Sequence, residues 1–360
     1  MTGYIGGDTL YHLHTEHSDR LHCAVLVRTQ EKADKVKQAY PNVEIILGSL
    51  DDSELLEEQA AKADIVIRTS TLNPLNSLLQ SQVTANNPDR ADCADASDHE
   101  NAAKAIGTGL LKGHSASRPG YWLHTGGTGI LTYRDSEAGR LGIRDEKEYN
   151  DLEGVEELTN LPDSAFHRNV DKIVLDFGTK YAEVVKTVIV CPPTIYGKGR
   201  GPVSGRGRQV YELARLVLRE GYTPVIGGGE ARWNHVHVRD LTRCFAALTQ
   251  RALEGDSSKE VWGERGYLFT EAGEHVWTDL ARAISRTAVE KGMLGEEAVR
   301  EDSLSKDAAI EQAGFEAVSW GWNSRGQALR ARKFLGWEPK EKSIFEEVPQ
   351  ILEEEKARLG

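Results

Sequence analysis

The sequence predicts an α/β fold, a doubly wound parallel sheet with a smaller C-terminal domain. Three observations lead there. Short apolar runs alternate with helix-like segments, the rhythm of parallel βαβ units. A glycine pair, Gly3-x-x-Gly6, opens the first helix-like segment. The length of 360 residues favours one large α/β unit or two closely joined domains.

The elements follow in order. A helical stretch runs from the glycine pair to about His17, and Cys23–Val27 reads as a buried strand. A charged helix spans Glu31–Ala39, and Val43–Leu47 is the next strand. Ser53–Ala61 is helical, with Asp51 or Asp52 as its cap. Asp64–Ile67 is a further strand. From Arg68 to about Cys93 the rhythm breaks into a polar stretch without a period, which fits either a surface insertion or a translated intron. The pattern then resumes with a helix over Asp98–Leu111, a strand over Tyr121–Thr125, a helix over Ala165–Tyr181 and a strand over Val185–Cys191. Further helices are expected at about 206–220, 240–253, 274–290, 305–314, 326–335 and 343–357.

Composition narrows the function classes. With 44 basic and 56 acidic residues the net charge is −12, which repels phosphate backbones and anionic lipid. Nucleic acid and membrane partners are therefore not expected. No apolar run approaches the roughly 18 residues of a membrane span. None of the four cysteines forms a C-x-x-C pair, so neither zinc nor a redox motif is indicated. Cys23 and Cys191 read as core thiols, and a reducing cytoplasm is the expected compartment.

The glycine pair has a specific chemistry. Glycine lets the backbone approach a pyrophosphate, and the helix N-terminus behind it supplies N–H groups and a positive dipole end. Thr2-Gly3-Tyr4-Ile5-Gly6 resembles the end of the T-G-x-x-G-x-x-G loop of the extended short-chain dehydrogenase/reductase (epimerase/dehydratase) superfamily. Gly48-Ser49-Leu50-Asp51-Asp52 resembles its G-D-L-x-D turn. His124-Thr125-Gly126-Gly127, Cys191-Pro192-Pro193-Thr194-Ile195-Tyr196-Gly197, His235–Leu241 and Leu335-Gly336-Trp337-Glu338-Pro339 follow in that superfamily's order.

The resemblance implies a Rossmann-type nicotinamide-dinucleotide domain over 1–195 and a mainly substrate-binding region over 196–360. It implies cofactor contacts from Gly3, Tyr4, Ile5, Gly6, Ser49, Leu50, Pro193 and Thr194. Ser49 stands where relatives usually carry Asp, so the adenine contact passes to its hydroxyl or backbone. Arg28 ends the second strand where an acidic residue would select NAD. An arginine there suits a 2′-phosphate, so NADP is expected over NAD, with a solvated surface arginine as the plain alternative.

The superfamily's chemistry rests on Tyr-x-x-x-Lys. None of the 11 tyrosines here has lysine four residues later. The resemblance puts Lys172 at the ribose and Thr125 at the substrate oxygen, but the partner of Lys172 at i−4 is Arg168, which cannot deprotonate. Either hydride chemistry is lost, as in NmrA-like members that sense the dinucleotide, or His167 supplies the proton. His167 read as a structural or exposed histidine is the third possibility. The expected function is an NAD(P)-dependent oxidoreductase acting on a small carbonyl or hydroxyl substrate, with a non-catalytic NADP sensor as the alternative. A homodimer is common among relatives.

Further expectations concern the periphery. Relatives carry a first strand and first glycine ahead of the loop, so the sequence reads as N-terminally truncated. Losing a central strand would cost about 6–12 kcal/mol. The Gly-rich run Gly197–Gly207, with Arg200, Arg206 and Arg208 in or beside it, reads as a lid over an anionic substrate or a flexible basic loop. Arg232 is one position out of register with the arginine that grips diphosphate in nucleotide-sugar relatives. Trp320, Trp322 and Trp337 read as core.

Overall fold

The computed structural model describes residues 3–69 and 98–360. Most of the irregular stretch expected at 68–93 thus lies outside the described residues. The first half holds α1 (Tyr4–His17), β1 (Ala24–Val27), α2 (Gln30–Ala39), β2 (Glu44–Leu47), α3 (Ser53–Lys62), β3 (Ile65–Arg68), α4 (Glu100–Gly113) and β4 (Gly120–Thr125). Then come α5 (Arg168–Lys180), β5 (Val185–Cys191), β6 (Thr194–Tyr196), α6 (Gln209–Glu220), β7 (Thr223–Ile226), β8 (Arg232–His237) and α7 (Val238–Leu253). The chain closes with β9 (Tyr267–Phe269), β10 (Gly273–Val276), α8 (Trp277–Glu290), β11 (Glu301–Leu304) and, after shorter pieces, α9 (Ile344–Leu359).

The main sheet has the order β9-β5-β4-β3 with every pair parallel. Helices cover it, so its strands carry near-continuous apolar runs rather than alternation. All seven residues of β5 and all six of β4 are buried. This is the α/β, Rossmann-type architecture expected from the sequence. One feature departs from a single continuous sheet: among the described residues β1 and β2 pair in parallel with each other and with no further strand, as a separate two-stranded unit.

Local chemistry explains the element ends. Asp52 caps α3 by accepting from Leu55 N at 3.1 Å, and Ser343 and Glu346 form a reciprocal capping box at the start of α9. Helix α5 starts three residues later than the sequence suggested, because His167 is left-handed with φ 65°. Helix α8 also starts later than expected, since Gly273–Val276 pairs antiparallel with β8 instead. Close helix packing is set by glycine: a Cβ on Gly113 of α4 would lie 1.9 Å from the Ala61 carbonyl oxygen.

A second core lies under α6, α8 and α9. Trp320 and Trp322 are buried in it, while Trp337 is buried in the main core. Cys191 is buried and Cys23 half-buried. Among the described residues no helix is long and apolar enough to cross a membrane.

Candidate active site

Four of the residues expected at the cofactor share one cavity. Gly3, Arg28, Ser49 and Leu50 line a space of about 770 Å³ that runs along β1 and β3. Gly3 is the N-cap of α1, with no side-chain cap and nothing within 4 Å of where a Cβ would sit. The first N–H groups of a helix have no partner inside it, and no side chain is spent on them here. Tyr4, Ile5 and Gly6 therefore offer backbone N–H groups. Their bodies are used elsewhere: Ile5 is in the main core, and the Tyr4 hydroxyl donates to the Gly197 carbonyl. The Ser49 hydroxyl accepts from Asp51 N at 3.1 Å and so closes its turn.

A second group of residues gathers at the carboxyl ends of β4 and β5. Thr125 is fully buried, and its Oγ1 has no hydrogen-bond partner. Thr128 Oγ1 is buried in the same state. Such orphaned hydroxyls at strand ends are where a ligand completes the bonding.

Facing them is the N-terminus of α5. The His167 Nδ1 lies 3.0 Å from Asp98 Oδ1. A carboxylate only accepts, so Nδ1 carries a hydrogen and donates it to Asp98. Nε2 lies toward Gly127, since a Cβ added there would stand 3.6 Å from it. The His167 φ of 65° is the one left-handed non-glycine value among the described residues. Strain of this kind collects at functional positions.

One turn on, Asp171 shares this face. Its N–H bonds to the His167 carbonyl at 3.0 Å. Its carboxyl is fully buried, accepts from the Tyr267 hydroxyl at 3.2 Å, and lies 3.8 Å from His124 Nε2. Burial pushes the Asp171 carboxyl up to about 7, against the opposing pull of His167, Arg168 and the Tyr267 hydrogen bond. Burial also holds His124 well below the usual histidine range, with Arg68 and His167 adding to it. Below about pH 7 the two therefore face each other as neutral groups rather than as an ion pair.

The sequence expectation for Lys172 is corrected here. Its ammonium bonds Asp163 Oδ1 at 2.8 Å, with both side chains about half or more exposed. One residue is a turn of about 100° on a helix, so it is Asp171 that faces the strand ends, not Lys172. Arg168 is spent on the Thr159 carbonyl at 2.7 Å. Thr194 Oγ1 donates to Gln209 Oε1 at 3.0 Å, and Pro193 is buried, so both can meet a ligand only through backbone.

The expectation of a lid or a flexible basic loop over Gly197–Gly207 is also corrected. Arg200 makes a two-pronged pair with the buried Asp8 of α1, at 2.9 and 2.7 Å. Arg206 binds Glu355 and Glu212, and Arg208 binds Glu316. The loop is strapped down, and its positive charge is used inside the protein. Arg232 is likewise held, by Glu146 and the Asp145 carbonyl.

Residues 157–262 match the NAD dependent epimerase/dehydratase family. The chain is 36% identical to oxidase ucsJ of an Acremonium species, over 100% of this chain and 97% of that protein. The chain belongs to the NAD-dependent epimerase/dehydratase family. The fold agrees with solved structures. The dTDP-glucose 4,6-dehydratase DesIV of Streptomyces venezuelae superposes with a TM-score of 0.64 at 14% identity, over 99% of this chain and 95% of that one. A UDP-glucose 4-epimerase of Thermotoga maritima gives 0.62 at 16% identity, over 100% and 97%. The family's cofactor is a nicotinamide dinucleotide, and the open N-cap, the cavity and the orphaned strand-end hydroxyls fit one.

Asp98, Asp171 and Tyr267 were missed by sequence reasoning. A signal existed for Asp171: four residues after His167, it shares that residue's helix face. Nothing local marked Asp98 or Tyr267, which arrive from distant elements.

Proposed function

We propose that this chain is an NAD(P)-dependent oxidoreductase in which His167, oriented by Asp98, takes the proton role usually held by tyrosine. The observation that carries this reading is the His167–Asp98 contact at the end of β4. A histidine with a carboxylate on Nδ1 presents Nε2 as a proton acceptor or donor, a task worth about 10²–10⁴-fold in rate. The bound dinucleotide supplies or accepts the hydride.

The residues divide the work. The α1 N-terminus at Gly3 faces the pyrophosphate, and Arg28, Ser49 and Leu50 border the adenosine end. Arg28 beside a 2′-phosphate favours NADP. Thr125 donates to or accepts from the substrate oxygen, a small carbonyl or hydroxyl group. The buried Asp171–His124–Tyr267 contacts fix the floor beneath that oxygen.

The test is NADPH consumption with a panel of aldehydes and ketones. Turnover by the natural chain, lost in His167→Ala with dinucleotide binding kept, is the expected result. Tight binding without turnover across the panel would favour the second reading, a non-catalytic NADP sensor. The observation behind that reading is the helix α5 itself, whose inward face carries no tyrosine.

A further inference from the structure

The histidine end of the site has an aromatic neighbourhood. Phe166 directly precedes His167, so their Cα atoms are about 3.8 Å apart. The Phe166 ring centroid lies 6.0 Å from that of Trp322, with the planes at 36°, and 6.2 Å from that of Phe315, at 73°. These are the offset and edge-on arrangements that aromatic rings prefer. Trp322 is buried, whereas Phe166 and Phe315 are each half-buried at the margin of the second core. Part of each phenyl ring is left uncovered by protein.

The segment that carries Trp322 is fixed to the strand ends. The Ser324 hydroxyl, two residues on, donates to the Thr128 carbonyl at 2.6 Å. Between them Asn323 donates twice to the buried Asp135 carboxylate, at 2.7 and 2.9 Å. The aromatic trio is thereby tied through one chain segment to His167 and through another to Thr128, whose own hydroxyl is orphaned.

The charges near these segments are already spent. Arg208 binds Glu316, the residue after Phe315, at 2.6 Å. Arg232 binds Glu146 at 2.8 Å and Glu274 at 3.5 Å. Arg325, the residue after Ser324, binds Glu274 and Glu148. The exposed Lys306 ammonium sits 5.7 Å over the Trp322 ring, where cation–π attraction uses it. An anionic substrate would have to displace a carboxylate from an arginine and then sit beside that like charge, which is unfavourable.

We propose that the substrate of this site is uncharged and carries its reacting carbonyl or hydroxyl group on a flat aromatic ring, which packs against Phe166 and Phe315. The inference rests on the oxidoreductase reading and narrows its substrate class. Attachment close to the ring follows from adjacency: Phe166 and His167 are successive residues, so ring and reacting oxygen are close together in the ligand. In reduction the aryl carbonyl carbon gains the hydride given up by NADPH and its oxygen gains a proton, leaving the aryl alcohol and NADP⁺.

The experiment compares NADPH-dependent reduction of three matched aldehydes by the full chain. These are benzaldehyde, cyclohexanecarbaldehyde, whose ring is equal in size but not flat, and 4-carboxybenzaldehyde, which adds a negative charge. KM for benzaldehyde should be about tenfold below that for either of the others. Phe166→Leu and Phe315→Leu should each shrink the advantage over cyclohexanecarbaldehyde, with kcat changed little; two variants guard against one that fails to fold. Calorimetric titration of 2-naphthol into the chain with NADP⁺ reads the ring site without turnover. The inference is overturned if the three KM values are equal, if 4-carboxybenzaldehyde is preferred, or if both folded variants keep the full benzaldehyde advantage. Binding of 2-naphthol that the variants weaken, with no turnover of any aldehyde, would uphold the ring site and overturn the oxidoreductase reading instead. Neither binding nor turnover overturns both.

Discussion

His167 Nδ1 stands 3.0 Å from Asp98 Oδ1, and the histidine that makes this contact has a φ of 65°. The pair joins two segments 69 residues apart in sequence. Holding a histidine in the left-handed region costs about 1–2 kcal/mol. A surface histidine would relax, whereas this one is held where its ring meets Gly127.

Replacing His167 should separate activity from stability. His167→Ala should lower turnover by about 10²–10⁴-fold with little change in dinucleotide affinity. His167→Gly should be equally inactive yet more stable than the alanine variant by about 1 kcal/mol, because glycine accepts positive φ. Steady-state kinetics with thermal melts checks both. Equal stability of the two variants would show that the backbone at 167 is unstrained.

Asp98 is a positioning residue. Asp98→Asn can donate to Nδ1 and so favours the tautomer with the hydrogen on Nε2. Turnover should fall by up to about 10⁴-fold, as expected for a reversed tautomer, while KM changes little. The histidine ring nitrogen shifts in an NMR spectrum should report the swap. An unchanged spectrum would mean that the contact does not set the tautomer.

Arg28 should decide the cofactor. Arg28→Asp removes one charged hydrogen bond to a 2′-phosphate, worth about 1.5–3 kcal/mol. Affinity for NADPH should fall about 10–100-fold, with NADH affinity held or improved. Calorimetry with both nucleotides measures the ratio. An equal loss for the two would assign Arg28 to general attraction only.

Asp171 should make stability depend on pH. Its folded-state pKa of about 7 lies above the unfolded value of about 3.9. Between those values the unfolded chain gives up a proton that the folded chain keeps. Stability is therefore lost as pH rises through this window, by roughly 4 kcal/mol at most. His235 and His237 act the other way. Burial lowers each to about 4, so their contribution is present above about pH 6.5 and lost as pH falls toward 4. Subtracting Asp171→Asn from the natural chain isolates the carboxyl: the variant should gain relative stability as pH rises from about 4 to 7. A flat difference from urea melts across that range would place the Asp171 pKa near its ordinary value.

Arg200 should be structural. Arg200→Ala leaves the fully buried Asp8 without its charge partner, at a cost of about 3–5 kcal/mol. In Asp8→Asn with Arg200→Met much of that should return, because the buried charge goes with its partner. A mobile lid would instead give small stability effects and a raised KM.

Much of the fold was legible because period and punctuation are local. The bounds of Val185–Cys191 were read directly, since the strand is buried along its whole length and its second half is an unbroken apolar run. Helix α5 was placed three residues early because nothing local shows that His167 turns left-handed. Gly3, Arg28, Ser49 and Leu50, grouped in the sequence by short loop motifs, line one cavity. Lys172 was misplaced by one position on a helix, enough to exchange a surface ammonium for a buried carboxyl. The run 197–207 was read as a lid or a flexible basic loop because the partners of its arginines, Asp8, Glu316 and Glu355, lie far away in sequence.

The most direct test of the account is calorimetric titration of NADPH and NADH into the natural chain and into Gly3→Val. Gly3 has φ −73° and nothing within 4 Å of a Cβ, so the variant should fold with an unchanged melting temperature. The added branches would occupy the approach to the α1 N-terminus. Saturable binding by the natural chain, weakened at least about tenfold in the variant, is the expected result. Equal binding by both proteins, or none by the natural chain, would contradict the placement of the dinucleotide at Gly3.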